Sequence, residues 1–89
     1  MFGVMWKVDV RGGGEGTMFL ADSKRMWSPD VEQTSILNKA LAFDTIPEAE
    51  AAAVLYGAKN PELIGRFKVV TIRFKDDGYG KMRPYYTEV

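Results

Sequence analysis

The opening run MFGVMWKVDV alternates without a break. Phe2, Val4, Trp6, Val8 and Val10 fall on one face of an extended chain, and Gly3, Met5, Lys7, Asp9 and Arg11 on the other. A period of two excludes a helix and predicts a half-buried strand whose aliphatic and aromatic face meets a core. The charges arrive early, so the run reads as neither a signal peptide nor a membrane span, and no apolar run elsewhere approaches the roughly 18 residues a span needs. The glycines of GGGEG that follow supply the positive backbone angles of a hairpin loop. A second strand over 17–21 is expected to pair back antiparallel to the first.

Further along, DSKRMWSPDVEQTS is polar and punctuated by Ser-Pro, which predicts an irregular connection with Trp27 turned into the core. SILNKALAF fits two periods. Ile36, Leu37, Ala40 and Leu41 suit a short helix, while Leu37, Lys39, Leu41 and Phe43 suit a strand; the expectation is a short strand ending near Phe43. FDTIPEAEAAAVLYG is a helix with a legible start. Thr45 and Glu48 form a capping-box pattern in which Glu48 reaches back to the amide of the cap, and Pro47 lies in the first turn, where its missing N–H costs nothing. Glu48 and Glu50 favour the positive end of the helix dipole, the alanines allow close packing on a sheet, and Gly57 is the expected stop. After the loop AKNPELIG, RFKVVTIRFK predicts a long strand with Phe67, Val69 and Thr71 on one face and Val70, Ile72 and Phe74 on the other. DDGYG is a turn with Asp77-Gly78 at its apex, and KMRPYYTEV returns as a strand that Pro84 confines to a sheet edge. The sum is a single α+β domain over 1–89: an antiparallel sheet of four or five strands with one helix packed on one face.

Composition narrows the chemistry. A chain of 89 residues buries roughly 60–65% of the surface its unfolded form exposes, enough for one core. Twelve basic and twelve acidic residues cancel, so no whole-molecule field steers the chain toward nucleic acid or a membrane. With no cysteine and no histidine, disulfides, thiolate chemistry, soft metal ligands and the imidazole base of most nucleophilic enzymes are missing. RGGGEGT lacks the lysine and the following helix of a phosphate-binding loop, and a hairpin loop accounts for it. Asp76-Asp77 and Glu48/Glu50 have the chemistry for a hard cation or acid–base work, but turn and capping roles explain both pairs. Met1, Met5, Met18, Met26 and Met82 read as packing residues. We therefore expect no catalytic residue, no cofactor and no metal site.

Charge is not evenly spread. Residues 66–89 hold six cations against three acids, a net of +3, which leaves −3 on residues 1–65. Interleaved with those cations are Phe67, Phe74, Tyr79, Tyr85 and Tyr86. Cations for phosphates and rings for bases are the ingredients of a single-strand surface. Strand alternation nevertheless divides Arg73 from Lys68, so the charges are not expected to form one stripe. Tyrosine and arginine are equally the residues enriched at protein–protein hot spots. The candidate partner-binding residues are Arg73, Lys75, Tyr79, Arg83, Tyr85 and Tyr86, with Lys24 and Arg25 beside Trp27 as a second patch. An edge strand also permits a homodimer.

The run MFLADSKRMWSPD…ALAFDTIPEAEAAA…FKVVTI resembles short reading frames common in phage and prophage genomes. Their shared outline is an opening strand, a tryptophan, A-x-x-F-x-T-x-x-E-A, here Ala40, Phe43, Thr45, Glu48 and Ala49, and a closing F-x-V-V, here Phe67, Val69 and Val70. The outline spans most of the chain, and nearly every matching position has a structural job. Similar small phage proteins include inhibitors of host defence such as anti-CRISPR proteins. The resemblance implies a cytoplasmic protein of the infected host cell that binds a host protein or complex without catalysis. A nucleic-acid-binding accessory protein is the alternative, and a small-ligand pocket between helix and sheet is a third reading.

Overall fold

The computed structural model describes residues 1–21 and 33–89. Five strands form one antiparallel sheet in the order β3-β2-β1-β4-β5, with β1 Phe2–Asp9, β2 Glu15–Leu20, β3 Gln33–Thr34, β4 Lys68–Asp76 and β5 Met82–Glu88. One helix, α1 Ile46–Lys59, lies on one face. The α+β class and, among the described residues, the single α-helix are those expected from the sequence. Trp27, Lys24, Arg25 and Met26 lie outside the described residues, as does most of the connection read as irregular; near its end Gln33 and Thr34 form β3, paired with Leu20 and Phe19. Among the described residues no helix is long and apolar enough to cross a membrane.

The opening strand is central rather than half-buried. β1 pairs with β2 over Met5–Asp9 and with β4 over Phe2–Met5, and Gly3, Val4, Met5 and Trp6 are all buried. Its two faces serve two cores. Val4 and Trp6 meet Leu20, Ala49, Ala53, Tyr56 and Leu63 under the helix, while Met5 meets Phe19, Ala40, Val70 and Ile72 on the far face. Trp6 is the hub of the first: its ring lies 5.3 Å from Tyr56 and 5.5 Å from Phe67, the latter edge-on at 85°. Only from Lys7 onward does the second face of β1 turn polar and exposed. The glycine loop works as expected, with Gly12, Gly13 and Gly14 all at positive φ, although β2 begins two residues earlier than the predicted strand.

Residues 35–42 are neither the expected strand nor a helix. The Thr34 hydroxyl accepts the Ile36 amide at 3.0 Å, and the chain then closes a 3₁₀ turn at Leu37–Lys39. Ala40 and Phe43 reach the sheet through two isolated bridges, to Ala21 and Phe2. Half-burying Leu37 and Ala42 against the far-face core requires this crossing path, which a regular period cannot supply.

α1 starts as predicted. The Thr45 hydroxyl accepts the Glu48 amide at 3.3 Å, but the reciprocal bond differs: that hydroxyl also donates to Glu48 Oε1 at 3.1 Å. Replacing Thr45 with Ala removes the cap and is expected to lower stability by about 1 kcal/mol in a urea titration. Gly57 does not end the helix, which runs on to Lys59 and closes at Asn60, whose amide meets the carbonyls of Tyr56 and Gly57. Gly57 is buried instead in a close contact that suits a glycine, since a Cβ there would stand 3.1 Å from the Phe67 ring and 3.3 Å from Ile64. Nor is the segment after the helix a plain loop; it carries a 3₁₀ turn at Pro61–Leu63 that buries Leu63 in the helix-side core.

Candidate partner-binding surface

β4 is longer than its contact with β1. Their pairing ends at Phe2–Thr71, and the last link across is the Ile72 amide to the Met1 carbonyl at 2.7 Å. Among the described residues β4 has only β5 paired with it from Arg73 onward, so residues 73–85 form a two-stranded arm that projects past the sheet. The loop at its tip is longer than an Asp77-Gly78 apex implies. It spans 77–81, closed by the Asp77 amide on the Lys81 carbonyl at 3.0 Å.

Register decides what the arm displays. Arg73 stands opposite Tyr85 and Lys75 opposite Arg83, with Thr71 opposite Thr87 behind them. Residues directly opposite share a face. Arg73, Lys75, Arg83 and Tyr85 therefore form one exposed patch on the side that carries α1. The expected division of Arg73 from Lys68 holds, but the register adds Arg83 and Tyr85 to the face of Arg73 and Lys75. Lys68 is turned to the other face, where it pairs with Glu88 at 3.2 Å in an exposed contact worth little. Tyr86 also leaves the group: its ring packs edge-on against Phe19, 5.2 Å away, as part of the far-face core. Tyr79 sits alone at the tip, 90% exposed. On the reverse of the arm Phe74 and Met82 are exposed, so neither Met82 nor the equally exposed Met1 is the packing residue expected.

The electrostatics of the tip centre on Asp77. Its Oδ1 accepts the amides of Tyr79 at 2.8 Å and Lys81 at 3.4 Å, while Oδ2 meets Arg83 Nε at 3.0 Å. The Tyr79 amide first, and the Arg83 guanidinium next, hold its carboxyl below the ordinary range. A carboxylate whose pKa is lower folded than unfolded stabilises the fold above its unfolded value near 4, and that contribution is lost as pH falls through the folded value. Thermal midpoints followed from about pH 5 to pH 2 should therefore fall further in the wild type than in Asp77→Asn. Asp76 is likewise a turn acceptor, its Oδ1 taking the Gly78 amide at 2.8 Å. No ion pair forms at Arg73, Lys75 or Lys81 among the described residues.

β5 is the sheet edge, as Pro84 predicts. The bonds from Val89 N to Val69 O and from Asp77 N to Lys81 O fix the parity: odd residues of β5 turn their amides inward. Pro84 is even, so its missing N–H faces outward and costs no ladder bond. It also interrupts the row of donors that a second copy would need for strand pairing.

The pocket between helix and sheet that the third reading requires was assigned no residues from the sequence. A groove of about 860 Å³ runs between α1 and the root of the arm, walled by Ile46, Val54, Ile64, Phe67, Val69 and Val89. Val54 is 72% exposed and Ile64 65%. One signal was present: with Ala49, Ala53 and Tyr56 forming the buried stripe of α1, Val54 has to point elsewhere. Comparison with protein families, with curated proteins and with solved structures finds no match to the chain.

Proposed function

We propose that the chain is a non-catalytic protein-binding module that engages its partner through the α1-side face of the β4–β5 arm. The observation that carries this reading is the grouping of Arg73, Lys75, Arg83 and Tyr85 on one exposed face of a projecting ribbon. Arginine and tyrosine are the side chains that most often anchor interfaces. The arrangement also has a local cost, since Lys75 and Arg83 are like charges standing opposite each other. A surface kept against its own stability is what a binding site requires. The phage-type outline of the sequence makes a host protein complex, and a defence complex first, the target to test.

The test is an affinity pull-down with the tagged chain from nuclease-treated bacterial lysate, read by mass spectrometry. One protein retained in stoichiometric amount, and lost when Arg73 and Lys75 are reversed to Glu, supports the reading. An empty bait overturns it.

One observation favours a second reading, nucleic-acid binding. A two-stranded ribbon fits the roughly 12 Å major groove, and three cations and a tyrosine share its face. That version predicts nucleic acid on the bait when nuclease is omitted. Its affinity should fall with salt by roughly one log unit per log unit for each phosphate neutralised.

A further inference from the structure

Helices pack about 8–10 Å apart and strands lie about 4.8 Å apart, so one helix covers roughly two strands of a sheet. The helix-side core under α1 takes residues from β1, from Leu20 of β2 and from Val69 at the root of β4. The rest of that face, where β4 runs beside β5, has no helix over it among the described residues. Thr87 and Val89 are exposed there, and so are Arg73, Lys75 and Arg83 farther out. The uncovered strip is continuous. It begins in the groove beside α1, on the facing residues Val69 and Val89, passes Thr71–Thr87 and Arg73–Tyr85, and ends at Lys75–Arg83.

We propose that this strip is the seat of an amphipathic helix from the partner, lying alongside α1 with its apolar stripe in the groove and acidic residues over Arg73, Lys75 and Arg83. The proposal rests on the protein-binding reading and names the chemistry of that partner. Dimensions agree: Val69 to Lys75 spans about 20 Å at about 3.4 Å per residue. A helix of about 14 residues has the same length. The groove falls within the roughly 300–1,000 Å³ typical of binding clefts, and its walls are mostly apolar, with Glu50, Lys68 and Glu88 among them. Charge sets the direction. At the groove end Lys68 is already paired with Glu88, leaving Glu50 as the unpaired charge there, so acids are unwelcome. At the arm end Arg73 and Lys75 carry no counter-charge, and Arg83 shares one carboxylate, so acids are drawn there. The groove mode is the usual one for helical peptides, apolar anchors in a slot with charges fixing orientation.

The experiment titrates the full ¹⁵N-labelled chain with a stapled helix of about 14 residues, leucines along one end and glutamates at the other. The comparison probes are the same peptide with lysines for glutamates, and single-stranded DNA. The acidic peptide should shift the amides of Val69, Thr71, Arg73, Tyr85, Thr87 and Val89, and bind at least about tenfold more tightly than the lysine version at low salt. Val54→Asp and Arg73→Glu should each weaken it about tenfold with the melting midpoint unmoved, since both positions are exposed. Equal affinity for both peptides, shifts confined to the Phe74 and Met82 face, or displacement of the peptide by DNA would overturn the seat. Concentration-dependent shifts of the same amides without peptide would assign the strip to a second copy and overturn it too. If no peptide perturbs these amides while the pull-down still retains a protein, the helix seat fails and the protein-binding reading stands. If the pull-down is also empty, both fail.

Discussion

Replacing Trp6 with Ala should leave the chain without a stable fold at physiological temperature. Trp6 is 1% exposed and touches both aromatic partners of the helix-side core, Tyr56 and Phe67. Truncating a buried tryptophan costs about 3–5 kcal/mol, because the cavity left behind collapses only in part. A domain of this length has a total stability of about 4–13 kcal/mol, taking about 0.05–0.15 kcal/mol per residue. One side chain therefore removes a large fraction of the whole. The expected loss in melting midpoint is about 15–30 °C by calorimetry or far-ultraviolet circular dichroism. Trp6→Phe, which keeps an aromatic ring in the cluster, should lose much less. A Trp6→Ala variant melting within a few degrees of wild type would mean that the helix-side core does not hold the fold together.

Why Trp6 stands out is legible from the sequence, since it sits in the middle of a strict alternation. What alternation cannot tell is how many faces are covered, because that depends on which strands lie on either side. The clue to a central β1 was on its second face, where Gly3 and Met5 precede the charged Lys7 and Asp9; burial changes along the strand, not only across it. α1 was readable for a local reason: the bond from the Glu48 amide to Thr45 needs residues only three apart. Gly57 misled for the opposite reason. A glycine near a helix end reads as a stop, but its role here is set by Phe67, ten residues away and brought close only by the fold. Residues 35–42 offered two periods and adopted neither, because Thr34 and the Leu20 carbonyl, which accepts the Leu41 amide at 2.8 Å, direct the path.

The arm shows the same limit at a candidate site. Alternation along β4 places Arg73 and Lys75 together, but which residues of β5 join them depends on the length of the turn. A two-residue turn on Asp77-Gly78 would pair Asp76 with Tyr79 and send Arg83 to the Phe74 face. The observed loop pairs Asp76 with Met82 and brings Arg83 and Tyr85 to the cations. A single-residue slip exchanges every side chain between faces, so charge patterning on the second strand of a hairpin cannot be read before its register is known.

Reversing Lys75 and Arg73 to Glu should separate function from stability by moving them in opposite directions. Lys75 faces Arg83 across the ribbon, and Asp77 is the carboxylate that eases their repulsion. Lys75→Glu replaces a like-charge pair with an opposite one, a change worth about 0.2–1 kcal/mol in favour of the folded hairpin. Arg73 stands opposite Tyr85, so its reversal should be close to neutral for the fold, within about 0.5 kcal/mol. If the face binds an acidic partner surface, the same two changes put like charges into the interface. The expected result is a loss of partner affinity of about a hundredfold or more at low ionic strength, narrowing as salt screens the charges. The measurement pairs a urea titration with a binding isotherm on the same double variant. Equal stability or a slight gain, with binding abolished, is the signature of cations retained for recognition against a local cost. A clear loss of stability would make Arg73 and Lys75 props of the hairpin. Full stability with undiminished binding would move the interface off this face altogether.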